Sequence, residues 1–336
     1  MTDQPTDRPE VRRPARRRPS RDAKLVVGLA VVGATVLFAI FGPMLTQDPR
    51  SSDNPVLVPP QPGHWLGTTS LGYDVLAQLA EGARGSLLVG VVAGLLAIVL
   101  SLVFGVVAGY ARGATDEGLS LITNVMLVIP GLPLMIVVSS YLEVRSLWVV
   151  AIILGATAWP GAAVVLRLQA RSLRSRDYVS AARVAGESTP RLLGMEILPN
   201  LLPLLTAQFL FAVVLSILGE AGLSYLGLGP NGSITWGTML NEAQGGGALT
   251  RGAWWWFVPP GLMIAVLGCA MSLINFAIDE VIDPKLRQAP TAAKLQRKAR
   301  KAGLDITSPA HDDDTPRPAP ASRAPDPDDH KERVQA

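Results

Sequence analysis

Residues 85–111 read GSLLVGVVAGLLAIVLSLVFGVVAGYA, with no Asp, Glu, Lys or Arg between Arg84 and Arg112. About 20 apolar residues in a helix cross the hydrocarbon core of a bilayer, so this stretch is long enough to span one by itself. Five further stretches share the pattern: Leu25–Gln47, Gly118–Leu142, Ser146–Leu166, Ile197–Gly219 and Gly252–Ile278. Backbone amides cannot go unpaired in lipid, and helices pair every amide within the segment. The fold class that follows is an all-α integral membrane protein with six transmembrane helices, at about 25–45, 86–110, 119–141, 146–167, 201–224 and 256–278. The number and length of these stretches in 336 residues argue against buried helices of a large soluble core. Leu25–Gln47 is too long for the apolar region of a signal peptide, and no A-x-A site closes it, so it reads as a retained first helix.

Composition agrees. Hydrophobic residues make up 49% of the chain and charged residues only 17%, against roughly a quarter charged in soluble domains. The mean hydropathy of +0.32 understates the contrast, because both ends are polar. Residues 1–24 form a basic, Pro-rich N-tail and 289–336 a Pro- and Asp-rich C-tail. Neither has an apolar period to offset the entropy of ordering, so both are expected to be disordered flanks of a membrane domain over 25–288. The basic run Lys294–Lys301 reads as a topology-setting flank near lipid headgroups in preference to a nucleic-acid arm, and Asp312, Asp313 and Asp314 beyond it argue the same way.

Lys and Arg counts orient the spans. One side receives Arg8 to Lys24, then Arg112, then Arg167, Arg171, Arg174, Arg176, Arg183 and Arg191, then Lys285 to Lys301. The other side holds only Arg50, Arg84, Arg145 and Arg251. Both termini are therefore expected in the cytoplasm. The uncharged segment 221–241 contains Gly227, Gly229, Pro230, Asn231 and Gly232, which is turn chemistry, and is expected as an external loop that dips toward the membrane.

Several chemistries are excluded. One cysteine cannot build a disulfide framework or a zinc or iron–sulfur site from this chain alone, and His64, His311 and His330 are scattered. No G-x-x-x-x-G-K-[ST], G-x-S-x-G or H-E-x-x-H occurs, and no G-x-G-x-x-G follows a strand. No span contains a histidine or a row of acids, so neither a serine–histidine hydrolase nor a proton-driven pump is supported. No catalytic residue and no metal site is assigned.

The longest internal loop, 168–200, lies on the arginine-rich side. Val179–Ala185 has good helix formers, and Gly186 suits a helix end that needs positive φ. Ser188 or Thr189 then caps a second short helix with Pro190 at its first position, and Pro199 is expected to close it. Helix, glycine, helix makes a compact knob suited to a groove on a partner.

This loop resembles the EAA motif of permease subunits of bacterial ABC importers, the segment that docks on the ATPase. Ala181-Ala182, Gly186 and Ile197-Leu198-Pro199-Asn200 carry the resemblance, whereas Ser180 replaces the leading acid and Glu196 a common basic residue or histidine. His64–Thr68, Leu71–Leu76 and Gly82–Leu87 are similar to the segment before the second span in the dipeptide/oligopeptide/nickel permease family. Leu223–Gly229, Ser233–Gly237 and Asp283–Arg287 are similar to its later signatures, in the right order, over about 25–288. The resemblance is to the C-type membrane subunit.

It implies a type I ABC importer permease fold and a non-catalytic subunit that moves peptides or related small solutes by alternating access. The implied partners are a homologous second permease, two ABC ATPases or one fused ATPase, an extracytoplasmic solute-binding protein and membrane lipid. ATP and Mg would be bound by the ATPases and no cofactor by this chain. An importer of nickel or another metal complex, an autonomous channel or secondary carrier, and a membrane receptor remain as alternatives. The implied coupling residues are Tyr178, Ser180, Ala181, Ala182, Gly186, Glu187, Ser188, Pro190, Leu198 and Pro199. Glu220, at the end of the fifth span, reads equally as a pathway group and as a permease-interface group. Trp254, Trp255, Trp256 and Phe257 read as an interfacial aromatic belt, His64 as a loop-structure residue, and Gly105 with Gly109 as a close helix contact.

Overall fold

The computed structural model describes residues 21–282, with side-chain surroundings for 23–278. The tails 1–20 and 289–336, the Lys294–Lys301 run, the Asp283–Arg287 signature, His311 and His330 lie outside the described residues. Within them the chain is helical, with only isolated bridges at Gln61–His64 and Thr68–Asp74.

Nine helices follow in order among the described residues. They are α1 (Arg21–Leu45), α2 (Val75–Tyr110), α3 (Ala114–Val128), α4 (Gly131–Ser140), α5 (Leu147–Arg174), α6 (Asp177–Val184), α7 (Thr189–Tyr225), α8 (Trp236–Gly245) and α9 (Trp254–Ile282). Helices α1, α2, α5, α7 and α9 are each long and apolar enough to cross a membrane, and α3 with α4, taken together across their bend, meets the same length and composition as a sixth.

That break corrects the expectation of one continuous helix over 119–141. Ile129 (φ −72°, ψ 122°) and Pro130 (φ −64°, ψ 118°) are extended, and α4 leaves at 82° to α3. A proline ring clashes with helical geometry at the preceding residue, so the Ile129-Pro130 step is where the helix stops.

Helix α2 sits at the centre, packed along α5 on one side and α7 on the other. Glycines bring the backbones together. A Cβ on Gly94 would lie 2.7 Å from Val213 Cγ2 of α7, and one on Gly109 would lie 2.5 Å from the Arg167 carbonyl of α5. Gly105 meets the Ala163 backbone in the same way, so the G-x-x-x-G pair contacts α5 within this chain. A widened π turn at Leu102–Val107 lets α2 continue to Tyr110. Helix α1 lies against α2 and α9. Its Pro43 has no N–H to give the Ala39 carbonyl four residues back. Arg84 of α2 supplies the missing donor: Nε donates to Ala39 O at 2.7 Å and Nη2 to Ile40 O at 2.8 Å. One guanidinium thus offsets the helix defect and ties α1 to α2.

The loop expected over 221–241 is partly helix. Gly227 and Gly232 take positive φ (78° and 71°) and end α7 as turn chemistry predicts. Thr235 and Thr238 then form a reciprocal capping box that starts α8. Trp236 is fully buried, its ring N–H donates to Leu79 O at 3.1 Å, and its backbone N–H donates to Ser86 Oγ at 3.0 Å. Helix α8 is therefore pinned to α2 at Trp236, and it packs on α7 and α9 as well. The aromatic belt also needs correction: Trp254 is exposed, but Trp256 is buried with its ring against Gly246. Trp255 donates to Thr68 O at 3.2 Å. His64 Nδ1 lies 3.0 Å from Asp74 Oδ2, while Asp74 Oδ1 accepts from Ala77 N at 2.9 Å and caps α2. This is a structural role for His64.

Candidate functional site

Helix α5 ends in Arg171 and Arg174, whose charges suit a helix C-terminus. Ser175 and the extended Arg176 (φ −73°, ψ 147°) turn the chain into α6. Val179 is the buried anchor of α6, while Tyr178, Ser180 and Ala181 face outward and Ala182 is half-buried.

The helix closes with a Schellman turn. Gly186 N donates to Arg183 O at 3.1 Å and Glu187 N to Ala182 O at 3.2 Å, with Gly186 at φ +86°. This is the pattern in which a residue in the left-handed region satisfies the last carbonyls of a helix. Ser188 is extended (φ −70°, ψ 150°), Pro190 occupies the first turn of α7, and Arg191 Nε reaches Glu187 Oε2 at 2.9 Å across the junction. The exposed ion pair adds little energy; it orders the side chains flanking the turn.

Pro199 does not close a short helix. The helix begun at Thr189 passes through a π turn at Leu192–Ile197 and runs on to Tyr225. Pro199 falls in the first turn after that widened segment, where the absent N–H leaves no α-ladder bond broken. The knob is thus the head of the fifth span itself. Leu192 and Ile197 are buried at its base, and Leu198 is half-buried beside them. The Thr189–Ile197 half of the knob is therefore one continuous helix with the rest of α7, and α6 is joined to it through the Gly186 turn.

Two outward apolar residues had no signal as a pair in the sequence. Val184 is 89% exposed at the tip, and Met195 is 65% exposed in the π turn of α7. A valine that exposed, beside a rigid turn and with Tyr178 nearby on the same helix, is a surface suited to a partner.

Around the knob, Arg167 donates through Nε (2.9 Å) and Nη2 (2.7 Å) to Asp116 Oδ1, fastening α3 to α5. Arg174 Nη1 donates to the Tyr110 and Ala111 carbonyls at 3.1 and 2.7 Å, and the Arg183 guanidinium lies 5.6 Å over the Tyr110 ring. The C-terminal carbonyls of α2 are satisfied by a cation, as the helix dipole favours.

Glu220 lies at the other end of α7, far along the same helix. It is fully buried inside the chain, where Oε1 accepts from Ser224 Oγ at 2.5 Å and Thr235 Oγ1 at 2.6 Å. Oε2 has no hydrogen-bond partner among the described residues. The carboxyl therefore holds the start of α8 against the end of α7. On that same side a polar cavity of about 420 Å³ is lined by Arg50, Gln78, Asn231, Thr238, Asn241 and Glu242 among others. Burial raises the Glu242 carboxyl above its ordinary range, opposed by Arg50 and by a hydrogen bond from Gln78. Among the described residues no group of three His, Cys, Asp or Glu is placed to hold a metal.

Comparison with known proteins places this architecture. The chain is 33% identical over 266 residues to the oligopeptide transport system permease protein OppC of Bacillus subtilis, covering 78% of this chain and 86% of that protein. It is 32% identical over 277 residues to the dipeptide transport system permease protein DppC of Bacillus subtilis, covering 81% and 85%. It is also 32% identical over 274 residues to DppC of Haemophilus influenzae, covering 78% and 91%. Residues 101–288, which include the knob, α7 and α8, match the family described as binding-protein-dependent transport system inner membrane component. The chain is a multi-pass membrane protein and belongs to that family.

Proposed function

We propose that this chain is the membrane-spanning permease subunit of an ATP-driven ABC importer of dipeptides or oligopeptides. Peptide transport is what the names of the three relatives state; they favour it over a metal complex and over an autonomous channel or secondary carrier. The complex contains a homologous second permease, two ABC ATPases or one fused ATPase, and an extracytoplasmic solute-binding protein. The ATPases bind ATP and Mg, and this chain hydrolyses nothing. It resides in the cytoplasmic membrane with both termini and the α5–α7 loop in the cytoplasm, as the Lys and Arg distribution argues.

The observation that carries the mechanism is the continuity of the knob with the fifth span. Helix α6, the Gly186 turn and the head of α7 present exposed Tyr178, Val184 and Met195. Closure of the ATPases shifts this knob, and α7 transmits the shift toward the Glu220–Thr235 contact at the far side. Alternating access results when the two permeases move against each other. A ligand cannot shift an equilibrium beyond its differential affinity for the two states, so coupling requires that the ATPase grip this knob differently when open and closed.

Reconstituted transport tests this. Ala182→Arg places a long charged side chain on the half-buried edge of α6, and Gly186→Val forces a branched residue into the left-handed region. Both variants should lose ATP-driven peptide uptake while the permeases still pair and still dock the solute-binding protein. Wild-type uptake with normal ATPase retention in both would refute the assignment.

A further inference from the structure

A second cavity, of about 430 Å³, opens where the end of α2 meets α5 and α6. Its walls include Arg112, Arg174 and Arg183, with Tyr110 between them and Val107 and Leu193 lower down. The three guanidinium groups come from three different segments: the α2–α3 turn, the end of α5 and the coupling helix α6. Among the described residues no carboxylate lines the space and none forms an ion pair with any of the three; Asp116 acts on Arg174 only from a distance, its Oδ1 being held by Arg167.

Two of the arginines are held in place by the protein. Arg174 is fixed by the Tyr110 and Ala111 carbonyls, and Arg183 lies over the Tyr110 ring with Nη2 3.4 Å from its hydroxyl. Neither arrangement neutralises charge. Like charges brought this close repel unless an anion joins them, and the cavity volume falls within the range of ligand sites. Arginine forks match phosphate oxygens in geometry as well as charge.

The position narrows the source of the anion. The cavity sits at Ala111, the last residue of the charge-free stretch, where a bilayer's headgroups begin. One turn deeper, Val103 is 49% exposed and Val107 37% exposed, continuing an outward apolar strip below the arginines. A phosphate above an apolar strip is the layout of a phospholipid, and basic pockets between membrane helices bind anionic headgroups. We propose that the Arg112–Arg174–Arg183 cavity binds the phosphodiester of an anionic phospholipid, which joins the end of α2 to the coupling helix.

The test uses the complete transporter in nanodiscs of phosphatidylcholine doped with phosphatidylglycerol, with the retained lipid counted by native mass spectrometry. The wild type should hold phosphatidylglycerol in preference to phosphatidylcholine. Arg112→Gln, at a residue whose side chain has no hydrogen bond or ion pair among the described residues, should weaken retention by about fivefold. Arg112→Lys should keep most of it, and Arg171→Gln, on the same side but outside the cavity, should leave it unchanged. Thermal midpoints in pure phosphatidylcholine should match the wild type, separating lost binding from lost folding. Equal retention by the wild type and Arg112→Gln would overturn the site, as would equal losses for Arg112→Gln and Arg171→Gln. Displacement of phosphatidylglycerol by millimolar inorganic phosphate would overturn the lipid assignment and give the site to a soluble anion.

Discussion

A graded series at Gly186 isolates backbone conformation from volume. Gly186 sits at φ +86°, and a Cβ built there meets no atom within 4 Å, so no side chain introduced at this position starts with a clash inside the chain. The cost of substitution is therefore the left-handed backbone alone, about 1–2 kcal/mol for an ordinary L-residue. Undocked, the exposed turn relaxes out of the left-handed region and relieves that strain; docked, it must re-form. The cost should appear as weaker ATPase binding, about 5- to 30-fold for Gly186→Ala by the tenfold-per-1.4-kcal/mol rule. Gly186→Asn should lose much less, because Asn visits the left-handed region and hydrogen-bonds locally. Gly186→Val should lose most, being β-branched. The assay is titration of purified ATPase onto the permease pair in nanodiscs, beside the thermal midpoint of each variant. Midpoints should move little, since the turn is exposed and peripheral. Equal affinities for Asn, Ala and Val, or large midpoint shifts with unchanged affinity, would refute the reasoning.

Other consequences are as direct. Gly109→Val should destabilise the α2–α5 contact by about 1–3 kcal/mol, because the Cβ would meet the Arg167 backbone and Ala170 Cβ at 2.5–2.9 Å. Gly161→Ala, where a Cβ meets nothing within 4 Å, should be tolerated; detergent-phase thermal stability measures both. Arg84→Gln should cost about 1–3 kcal/mol by leaving the Ala39 carbonyl, which Pro43 cannot serve, without a donor. Pro43→Ala restores an N–H to Ala39, so the double variant should be more stable than Arg84→Gln alone, and a double-mutant cycle on thermal midpoints reads the coupling. Burial raises the Glu242 carboxyl, so the folded state favours its protonated form and loses stability as pH rises through the ordinary value of 4.5. Glu242→Gln should accordingly be more stable than wild type at neutral pH, with the difference shrinking as pH falls toward that value.

Charge-free length made the membrane class legible, because in lipid the composition of a span is dictated by solvation. The knob was legible for a different reason: Gly186, Ser188 and Pro190 are local turn and cap signals, and each occupies the place its chemistry favours. Breaks and continuations inside the bundle were less accessible. Ile129-Pro130 carried a boundary signal that the uninterrupted apolarity of 118–142 masked. Pro199 carried the same signal, yet there a preceding π turn absorbs the proline and the helix continues. The two prolines differ in the backbone before them, which composition does not reveal. Helix α8 was hidden because its capping box uses Thr238 where the usual pattern has Glu or Gln. Glu220 stood out as an ionisable group near membrane depth, but its partners, Ser224 and Thr235, are fixed only once α8 folds back on α7. The exposure of Val184 depends on how α6 turns its Val179 face inward, and that of Met195 on how the π turn buries Leu192 and Ile197, so both also waited for the three-dimensional packing.

The central claim is that the α5–α7 knob is where the ATPase grips this subunit, and proximity at its tip tests that claim most directly. With Cys269 replaced by Ser, Val184→Cys gives a single exposed thiol at the tip of the knob. In membranes carrying the complete transporter, a short thiol-specific crosslinker should join this position to an ATPase subunit, and addition of nucleotide should change the yield. The same reagent should give no product with the solute-binding protein. A Val184→Cys that is freely labelled yet never joins the ATPase, or that joins the solute-binding protein, would contradict both the coupling role and the orientation of the bundle.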